Sequence, residues 1–424
     1  MSTVRPLRVV VAGQGYVGLP LAMRAVAVGH DVVGFDVSVE RVKRLAAGES
    51  FVEDISSETV AAALASGRFQ VTDTAVGCEG FDVAVICVPT PLDEERPDLT
   101  KVESAAVALA PYLRPGALVV LESTSYPGTT ESLLVPCLEA GSGLRAGEDF
   151  QVGYSPERID PGNTEWTIET TPKLVSGIDA LSLDRTDAFY STLVAETVRV
   201  DSTGAAEMAK LLENTFRHVN IALVNELAMV AADLDIDVWK VIDAAASKPF
   251  GFMKFTPGPG VGGHCLPIDP SYLSWTVRRR LHRAFRFVEL ANDINEHMPD
   301  YVHARLVQAL NRRGLAMTGA RVLVMGLAYK RNSSDARESP ATELVKDLLA
   351  GGARVTVADP HVVEDVLPGV DVRRDLPDPE ELAAQDAVVL VTDHDTFDYD
   401  AVLEHATYVL DTRHRLEGPR VEHL

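Results

Sequence analysis

Short β-branched runs alternate with stretches of helical spacing along the first part of this chain. Residues 7–12 (LRVVVA) form the first run and 31–36 form the second. Continuous apolar runs of this length are typical of strands buried on both faces of a parallel sheet. The pattern predicts a helix over 19–28, and further strands at 82–88, 117–122 and 151–154. Strands and helices that alternate at this spacing indicate a doubly wound sheet.

A long helix is predicted at the centre of the chain, over 202–234. Residues 205–234 contain no proline and no glycine, and apolar side chains cover much of the helix circumference. Such a helix is expected to be buried between domains or subunits. A second helical stretch is predicted over 272–314.

The α/β pattern returns after this helical region. Its strands are predicted at 321–326, 353–360, 386–393 and 406–411. We interpret this part as a second Rossmann-like domain, with a weak internal duplication in which Asp359 takes the place of Asp36. Its first turn, GLAYKR, lacks the GxGxxG pattern. A mononucleotide diphosphate bound by Lys330 or Arg413 therefore suits it better than a dinucleotide.

The predicted fold class is thus α/β, with two Rossmann-like doubly wound domains joined by a long central helix. A chain of 424 residues is too long for one ordinary core. The changes in pattern divide it into an N-terminal domain at 1–201, a central helical domain at 202–315 and a C-terminal domain at 316–424.

Charge and cysteine content exclude several classes of protein. The formal net charge of −23 argues against nucleic acid and anionic membrane surfaces as partners, since both favour basic patches. The four cysteines lie far apart and form neither a disulfide framework nor a metal site. No apolar stretch is long enough to span a bilayer, and the N-terminus has no signal-type region. A cytoplasmic protein is expected.

The first turn is a candidate dinucleotide site. Gly13-Gln14-Gly15-Tyr16-Val17-Gly18 follows a predicted strand and opens a predicted helix, as the fingerprint requires. Asp36 lies at the end of the next strand, where a carboxylate accepts ribose hydroxyls and repels a 2′-phosphate. NAD is therefore expected rather than NADP. The alternative is a glycine-rich turn without a ligand.

A lone thiol, Cys265, lies within the loop GPGVGGHCLPIDP at 258–270. Two functions are open for it. It is either a buried structural thiol or a nucleophile that holds an intermediate between two oxidations, alcohol to aldehyde and aldehyde to acid. Asp269, four residues on, is placed to orient a water or a charged group.

Four more residues are candidates for the chemistry. Lys210 and Asn214, at i and i+4 on the central helix, share one face and either stabilise a developing alkoxide or form a solvated pair. Glu157 follows a strand and is either a general base, acting directly or through a water or Thr124, or a surface glutamate. Arg337 either lies in an exposed loop or reaches the pyrophosphate.

These elements together resemble one family, the nucleotide-sugar 6-dehydrogenases that act on UDP-glucose and UDP-N-acetylhexosamines. The matching stretches run in order from residue 13 to residue 413 and cover nearly the whole chain. They are GQGYVGLPLA, CVPTPL, ESTSYPGTT, SPERIDPGN, AKLLENTFR, GPGVGGHCLPIDP, GLAYKRNSSDARESP and VLDTR. The cysteine loop and the KLLEN motif are specific, whereas the first glycine turn is not.

The resemblance implies a four-electron oxidation. Cys265 would add to the C6 aldehyde, giving a thiohemiacetal and then a thioester, with Lys210 and Asn214 stabilising the oxyanions. Thr124, Glu157 and Asp269 would position the hydrolytic water. Residues implied for NAD are Gly13, Gly15, Tyr16, Val17, Gly18, Asp36, Thr90, Thr124 and Arg337. Residues implied for the nucleotide sugar are Glu157, Lys210, Asn214, Phe255, Gly262, Lys330 and Arg413. The family also pairs subunits through the central helices, which implies a homodimer.

The sequence is compatible with more than one sugar and with two other functions. PTPLDEERPDLT and SPERIDPGN look like the branch that acts on UDP-N-acetylglucosamine or UDP-N-acetylmannosamine, and Arg158 stands where the UDP-glucose branch usually has phenylalanine. A composition rich in Ala, Val, Asp and Arg is also compatible with UDP- or dTDP-glucose in an antibiotic sugar pathway. The alternatives in function are a two-electron β-hydroxyacid dehydrogenase and a non-catalytic NAD-binding regulator.

Overall fold

Two parallel sheets account for the β-branched runs of the sequence. The computed structural model describes residues 5–93, 96–159, 163, 165–263, 266–363, 365–370 and 372–424. They form two compact units, one of residues up to Glu213 with Arg279–Leu281, the other of Asn214–Arg278 and His282–Leu424.

The first unit contains ten strands and six complete helices among its described residues. The strands are β1 (Arg8–Ala12), β2 (Asp31–Phe35), β3 (Phe69–Thr72), β4 (Val83–Ile86), β5 (Leu92–Asp93), β6 (Arg96–Pro97), β7 (Leu118–Leu121), β8 (Gln151–Tyr154), β9 (Lys173–Gly177) and β10 (Thr197–Arg199). The helices are α1 (Gly18–Ala27), α2 (Val39–Ala46), α3 (Ser57–Ala65), α4 (Thr100–Leu109), α5 (Val135–Ser142) and α6 (Ala180–Tyr190).

The long central helix is α7 (Thr203–Asp233), so the predicted helix over 202–234 is confirmed. It is followed by α8 (Val238–Ala246), α9 (Asp269–Leu281), α10 (Arg286–Glu296) and α11 (Met298–Arg312). The single helical stretch predicted over 272–314 was wrong in detail, because it is broken twice. His282 takes a left-handed conformation at the end of α9. Pro299 has no N–H to continue a helix and stands instead in the first turn of α11.

The second unit repeats the α/β pattern. Its strands are β11 (Arg321–Met325), β12 (Arg354–Ala358), β13 (Val372–Arg373), β14 (Ala387–Leu390), β15 (Val409–Asp411) and β16 (Val421–His423). Its remaining helices are α12 (Pro340–Ala350), α13 (Pro379–Ala384) and α14 (Tyr399–His405).

Both large sheets have the strand order of a Rossmann fold. The order in the first sheet is β10-β9-β8-β7-β4-β1-β2-β3, and in the second it is β13-β12-β11-β14-β15-β16. Six consecutive positions in each give the order 3-2-1-4-5-6 of dinucleotide-binding domains. The two sheets joined through a long helix in the chain confirm the predicted fold class.

Two strands of the first sheet, β9 and β10, run opposite to the others, and the direction of β9 matters for the site. β9 runs antiparallel to β8, with Tyr154 opposite Ser176. The first residue of β9, Lys173, therefore lies at the same edge of the sheet as the residues that follow β7 and β8. None of the helices in the described part of the chain is long and apolar enough to cross a membrane.

Candidate active site

The first glycine turn has a different steric environment at each of its three glycines. Gly13 has φ +93°, and a Cβ there would lie 2.5 Å from the carbonyl oxygen of Cys87. A Cβ on Gly18 would overlap the carbonyl oxygen of Gly13. A Cβ on Gly15 would meet no atom within 4 Å. The turn thus needs Gly13 and Gly18 for its own packing, and it leaves the backbone at Gly15 open to a ligand, which fits a dinucleotide pyrophosphate.

Asp36 is bound to this turn. It is nearly buried, with one carboxylate oxygen accepting from the Gln14 N–H and the other from the Ser38 N–H, both at 2.9 Å. Arg41 lies 3.6 Å from the carboxylate. The acid at the end of β2 therefore shapes the turn and presents negative charge beside it.

The second unit repeats this arrangement with one change. Gly326 has φ +90°, and Asp359 after β12 accepts from the N–H groups of Leu327 and Ala328 at 2.6 and 2.9 Å. Ala328 is fully buried and stands where the first turn has the open Gly15. The second turn therefore keeps its shape but lacks the open backbone that admits a pyrophosphate.

A cluster of buried charged side chains lies beyond the ends of β7, β8 and the start of β9. Glu122 is fully buried, and its Oε1 is paired with the Lys173 ammonium. Its Oε2 accepts from the Tyr190 hydroxyl at 3.0 Å. Lys173, itself 5% exposed, also lies 3.7 Å from Oε2 of Glu157. One ammonium thus faces two carboxyl groups.

Glu157 is not the surface glutamate that its position after a proline also allowed, since its side chain is 13% exposed. Its Oε1 accepts from the N–H groups of Arg158 and Ile159 at 2.6 and 2.5 Å. Burial opposes its ionisation, but Lys173, the Ile159 N–H and Lys210 together hold the pKa of Glu157 below its ordinary value. Burial raises the pKa of Glu122 to about 7, with Lys173 opposing and Glu157 adding to that rise.

The first half of α7 carries the next residues of the site. Lys210 is 7% exposed, so it is buried and does not form the solvated pair that was the alternative prediction. Glu207, one turn before it, is fully buried and accepts from the N–H groups of Gly128 and Thr130 at 2.6 and 2.9 Å. Glu207 thereby holds the loop that follows β7, which includes the half-buried Thr124, against α7.

The second half of α7 lies in the other unit and binds two loops there. Asn214, 5% exposed, donates through its amide nitrogen to Oδ2 of the buried Asp269. Asn225 accepts from the N–H of Gly258 at 2.9 Å. The amide of Asn214 is thus oriented by Asp269, and the start of the cysteine loop at 258–270 is fixed to α7.

The cysteine loop at 258–270 packs against residues of the turn after β11 and of the segment before α12. A Cβ on Gly262 would lie 2.7 Å from both the Tyr329 Cβ and the Glu338 carbonyl oxygen, and the N–H of Gly263 donates to the Arg337 carbonyl at 3.0 Å. At its start, Gly258 faces the Arg413 guanidinium. The glycines of this loop therefore allow close packing. Cys265 and His264 lie outside the described residues.

The other predicted site residues are distributed over both units. Thr90 is buried, Val17 half-buried and Tyr16 39% exposed in the first unit. In the second unit Phe255 packs edge to face on Phe216 at 5.8 Å, and Lys330 is half-buried in the turn after β11. Arg337 is exposed and paired with Asp335 at 2.6 Å. Burial lowers the pKa of the Arg413 guanidinium, whose Nε donates to the Val391 carbonyl at 2.6 Å.

Several residues of the site were missed by sequence reasoning. They are Glu122, Lys173, Tyr190, Glu207 and Asn225. A charged residue directly at the end of an apolar strand was the available signal for Glu122 and Lys173. Their partnership could not be inferred, because they are 51 residues apart and meet only through the sheet order.

In the described part of the chain, no three His, Cys, Asp or Glu side chains are grouped to hold a metal ion.

Three domain profiles of one family match the chain in succession. They are described as the NAD binding, central and UDP binding domains of the UDP-glucose/GDP-mannose dehydrogenase family, and they match residues 7–194, 204–297 and 323–418.

Relatives of known activity cover nearly the whole chain. A UDP-N-acetyl-D-mannosamine dehydrogenase of Pyrococcus horikoshii is 36% identical over 398 residues, which are 92% of this chain and 90% of that protein. A UDP-N-acetyl-D-glucosamine 6-dehydrogenase of Pseudomonas aeruginosa is 39% identical over 368 residues, 86% of this chain and 85% of that protein. A solved UDP-D-ManNAc dehydrogenase structure from Pyrococcus horikoshii has a TM-score of 0.89 at 33% identity and covers 98% of this chain and 99% of that one.

Proposed function

Because this chain belongs to the UDP-glucose/GDP-mannose dehydrogenase family and is an NAD-dependent nucleotide-sugar dehydrogenase, we propose that it oxidises C6 of its sugar from alcohol to uronate. The observation that carries the proposal is the burial of Lys210 and Asn214 on one helix, where Asn214 donates to Asp269 and Lys210 acts electrostatically on Glu157. A buried ammonium and an oriented amide are the donors that a developing oxyanion needs.

The residues proposed for each step are those that the resemblance implies. NAD supplies the hydride acceptor for both oxidations, and Gly13, Gly15, Gly18 and Asp36 would hold it, with Tyr16, Val17, Thr90, Thr124 and Arg337 as further contacts. Lys210 and Asn214 would stabilise negative charge on the C6 oxygen as the alcohol loses its proton and again in the tetrahedral intermediates.

Cys265 would hold the intermediate between the two oxidations. Its thiolate adds to the C6 aldehyde to form a C–S bond, and loss of a second hydride from that carbon leaves a thioester. Water then adds to the thioester carbonyl, the C–S bond breaks, and the thiol and the carboxylate are released. Glu157, ionised in the buried cluster, would accept the proton of that water, with Thr124 and Asp269 positioning it.

We propose a UDP-N-acetylhexosamine as the substrate, since relatives over nearly the whole chain carry that activity in their names. Phe255, Gly262, Lys330 and Arg413 would contact it, the last two from the C-terminal domain. The cationic side chains of Arg413 and Lys330 suit a diphosphate group. The turn after β11, where Lys330 lies, lacks the open glycine that a dinucleotide pyrophosphate needs. The three domains proposed are 1–201 for NAD, 202–315 for the central helices and 316–424 for the nucleotide sugar.

A homodimer through α7 completes the proposal. Four apolar side chains of α7 in the second unit, and the one that follows the helix, are between 38% and 64% exposed. They are Phe216, Leu223, Leu227 and Val230, followed by Leu234. The last four follow a spacing of four, three and four residues, which places them on one stripe of the helix. An apolar stripe of this kind is stable when a second helix covers it.

NADH formation against UDP-N-acetylglucosamine, UDP-N-acetylmannosamine, UDP-glucose and dTDP-glucose tests the activity. We expect a UDP-N-acetylhexosamine to give about two NADH per sugar. Cys265→Ala should abolish formation of the acid, whereas Cys137→Ser, a cysteine on α5, should behave as wild type. Full turnover to the acid by Cys265→Ala would rule out the thioester route, whereas one NADH per sugar would indicate the two-electron dehydrogenase instead. No NADH with any of the four sugars would indicate the regulator.

A further inference from the structure

The buried cluster beyond β7, β8 and β9 contains more ionisable groups than the proposed chemistry uses. Glu122 and Lys173 contact each other, and neither has a part in the steps above. The ladder pairs Tyr154 with Ser176, and continuing that antiparallel register by three residues brings Glu157 opposite Lys173. The sheet itself therefore places the lysine beside the proposed base.

Lys173 pairs with both Glu122 and Glu157, so ionisation of both carboxyl groups would give this trio one net negative charge in a buried site, which is costly. Lys210 offsets part of that charge, but in the described part of the chain it forms no ion pair with either carboxyl group. One added proton leaves a single ion pair. The ionisable groups that face the cluster from the packed elements are Cys87, Glu122, Glu157, Lys173, Tyr190 and Lys210.

The contacts distinguish the two carboxyl groups. Glu157 accepts from two backbone N–H groups and is influenced by two lysines, and its side chain keeps some exposure. Glu122 is fully buried, with one lysine and two neutral donors, the Tyr190 hydroxyl at 3.0 Å and the Cys87 thiol at 3.7 Å. Backbone N–H groups and ammonium groups favour an ionised carboxylate, whereas full burial favours a neutral one.

We propose that Glu122, Lys173 and Glu157 form one buried proton-holding unit, in which Glu122 carries the proton and Lys173 keeps Glu157 ionised as the base. Glu122 and Lys173 are then positioning residues, since they act through Glu157. The link to catalysis depends on the proposed function, but the location of the proton does not.

The proton on Glu122 can be observed without any substrate. Infrared difference spectra of the full-length enzyme should show the C=O stretch of a protonated buried carboxyl below pH 7, and that band should fade as the pH rises through about 7. It should be absent from Glu122→Gln. In Glu157→Gln it should fade at a lower pH than in the wild type, because Glu122 then shares Lys173 with no other carboxylate. A band that persists in Glu122→Gln and is lost from Glu157→Gln would overturn the assignment.

The role of Lys173 is read from the pH dependence of kcat/KM for the nucleotide sugar that the enzyme oxidises best. Lys173→Met should move the acid limb upward by at least about one pH unit, because the nearest cation to Glu157 is lost. Lys173→Arg should restore the wild-type limb. Glu122→Gln imitates the protonated side chain and should leave the limb in place, whereas a downward shift of about one unit would mean that Glu157 carries the proton.

Two further variants keep the test decisive. Lys173→Met leaves Glu122 without a cation and can fail to fold. The double variant Lys173→Met/Glu122→Gln replaces both charged groups by neutral ones. The acid limb of its kcat/KM profile should still lie at higher pH than that of Glu122→Gln. Lys346→Met removes an exposed lysine paired with Glu343 on α12 and should change nothing. A wild-type enzyme that oxidises no nucleotide sugar would refute the proposed function. If the enzyme is active but Lys173→Met leaves the acid limb of its kcat/KM profile unchanged, this inference alone is refuted.

Discussion

Asp36 and Asp359 occupy the same position in two sheets, yet their surroundings differ. Each follows the second strand and accepts N–H groups from the turn after the first. Asp36 also pairs with the half-exposed Arg41, whereas Asp359 is fully buried and accepts from His394 at 2.9 Å. Burial opposes the ionisation of Asp359, but His394 and the backbone N–H groups hold its pKa below the ordinary value. Asp36 therefore keeps slight exposure to solvent, whereas Asp359 has none.

Asparagine substitutions should separate these two uses. Asp36→Asn removes the charge expected to bind the ribose, so we expect KM for NAD to rise about tenfold or more and the preference over NADP to shrink. Asp359→Asn should instead lower the thermal unfolding temperature while KM for NAD stays unchanged. Steady-state kinetics and thermal unfolding of both variants check this, and an unchanged KM in Asp36→Asn would contradict the ribose role.

At the scale of elements, the first glycine turn was predictable and the reason for each glycine was not. The spacing Gly13-x-Gly15-x-x-Gly18 between a strand and a helix identifies the turn, because the fingerprint is local. Which glycine packs and which one admits a ligand depends on Cys87, beyond β4, and on the carbonyl of Gly13. The same holds for the cysteine loop, whose Gly262 meets Tyr329 far along the chain.

Alanine at two of these glycines should have opposite effects. Gly15→Ala adds a methyl group in open space, so the protein should unfold at the wild-type temperature while KM for NAD rises. Gly18→Ala places its methyl group against the Gly13 carbonyl and should lower the unfolding temperature. Thermal unfolding beside NAD titrations provides the measurement. A destabilised Gly15→Ala would show that this position packs rather than binds.

For the whole molecule, the apolar stripe on α7 predicts the oligomeric state. Leu223 and Leu227 are 60% and 38% exposed. Glutamate at both positions places two charges in the proposed interface and should convert the dimer into a monomer. Leu349→Glu, an exposed leucine on α12, is the matched control and should leave the dimer intact. Sedimentation velocity decides between these outcomes, and a wild-type monomer would remove the dimer from the proposal.

By itself, the sequence determined the α/β class, the two Rossmann-like sheets, the long α7 and the dinucleotide turn, because periodicity and turn chemistry act over a few residues. It also marked Lys210, Asn214 and Glu157 as candidates, without deciding between a solvated and a buried position. Only the tertiary structure decided that burial, and only it paired Lys173 with Glu122 across 51 residues. The reason is physical: the free energy of a buried charge depends on neighbours that strand order and register bring together, and no local pattern contains them.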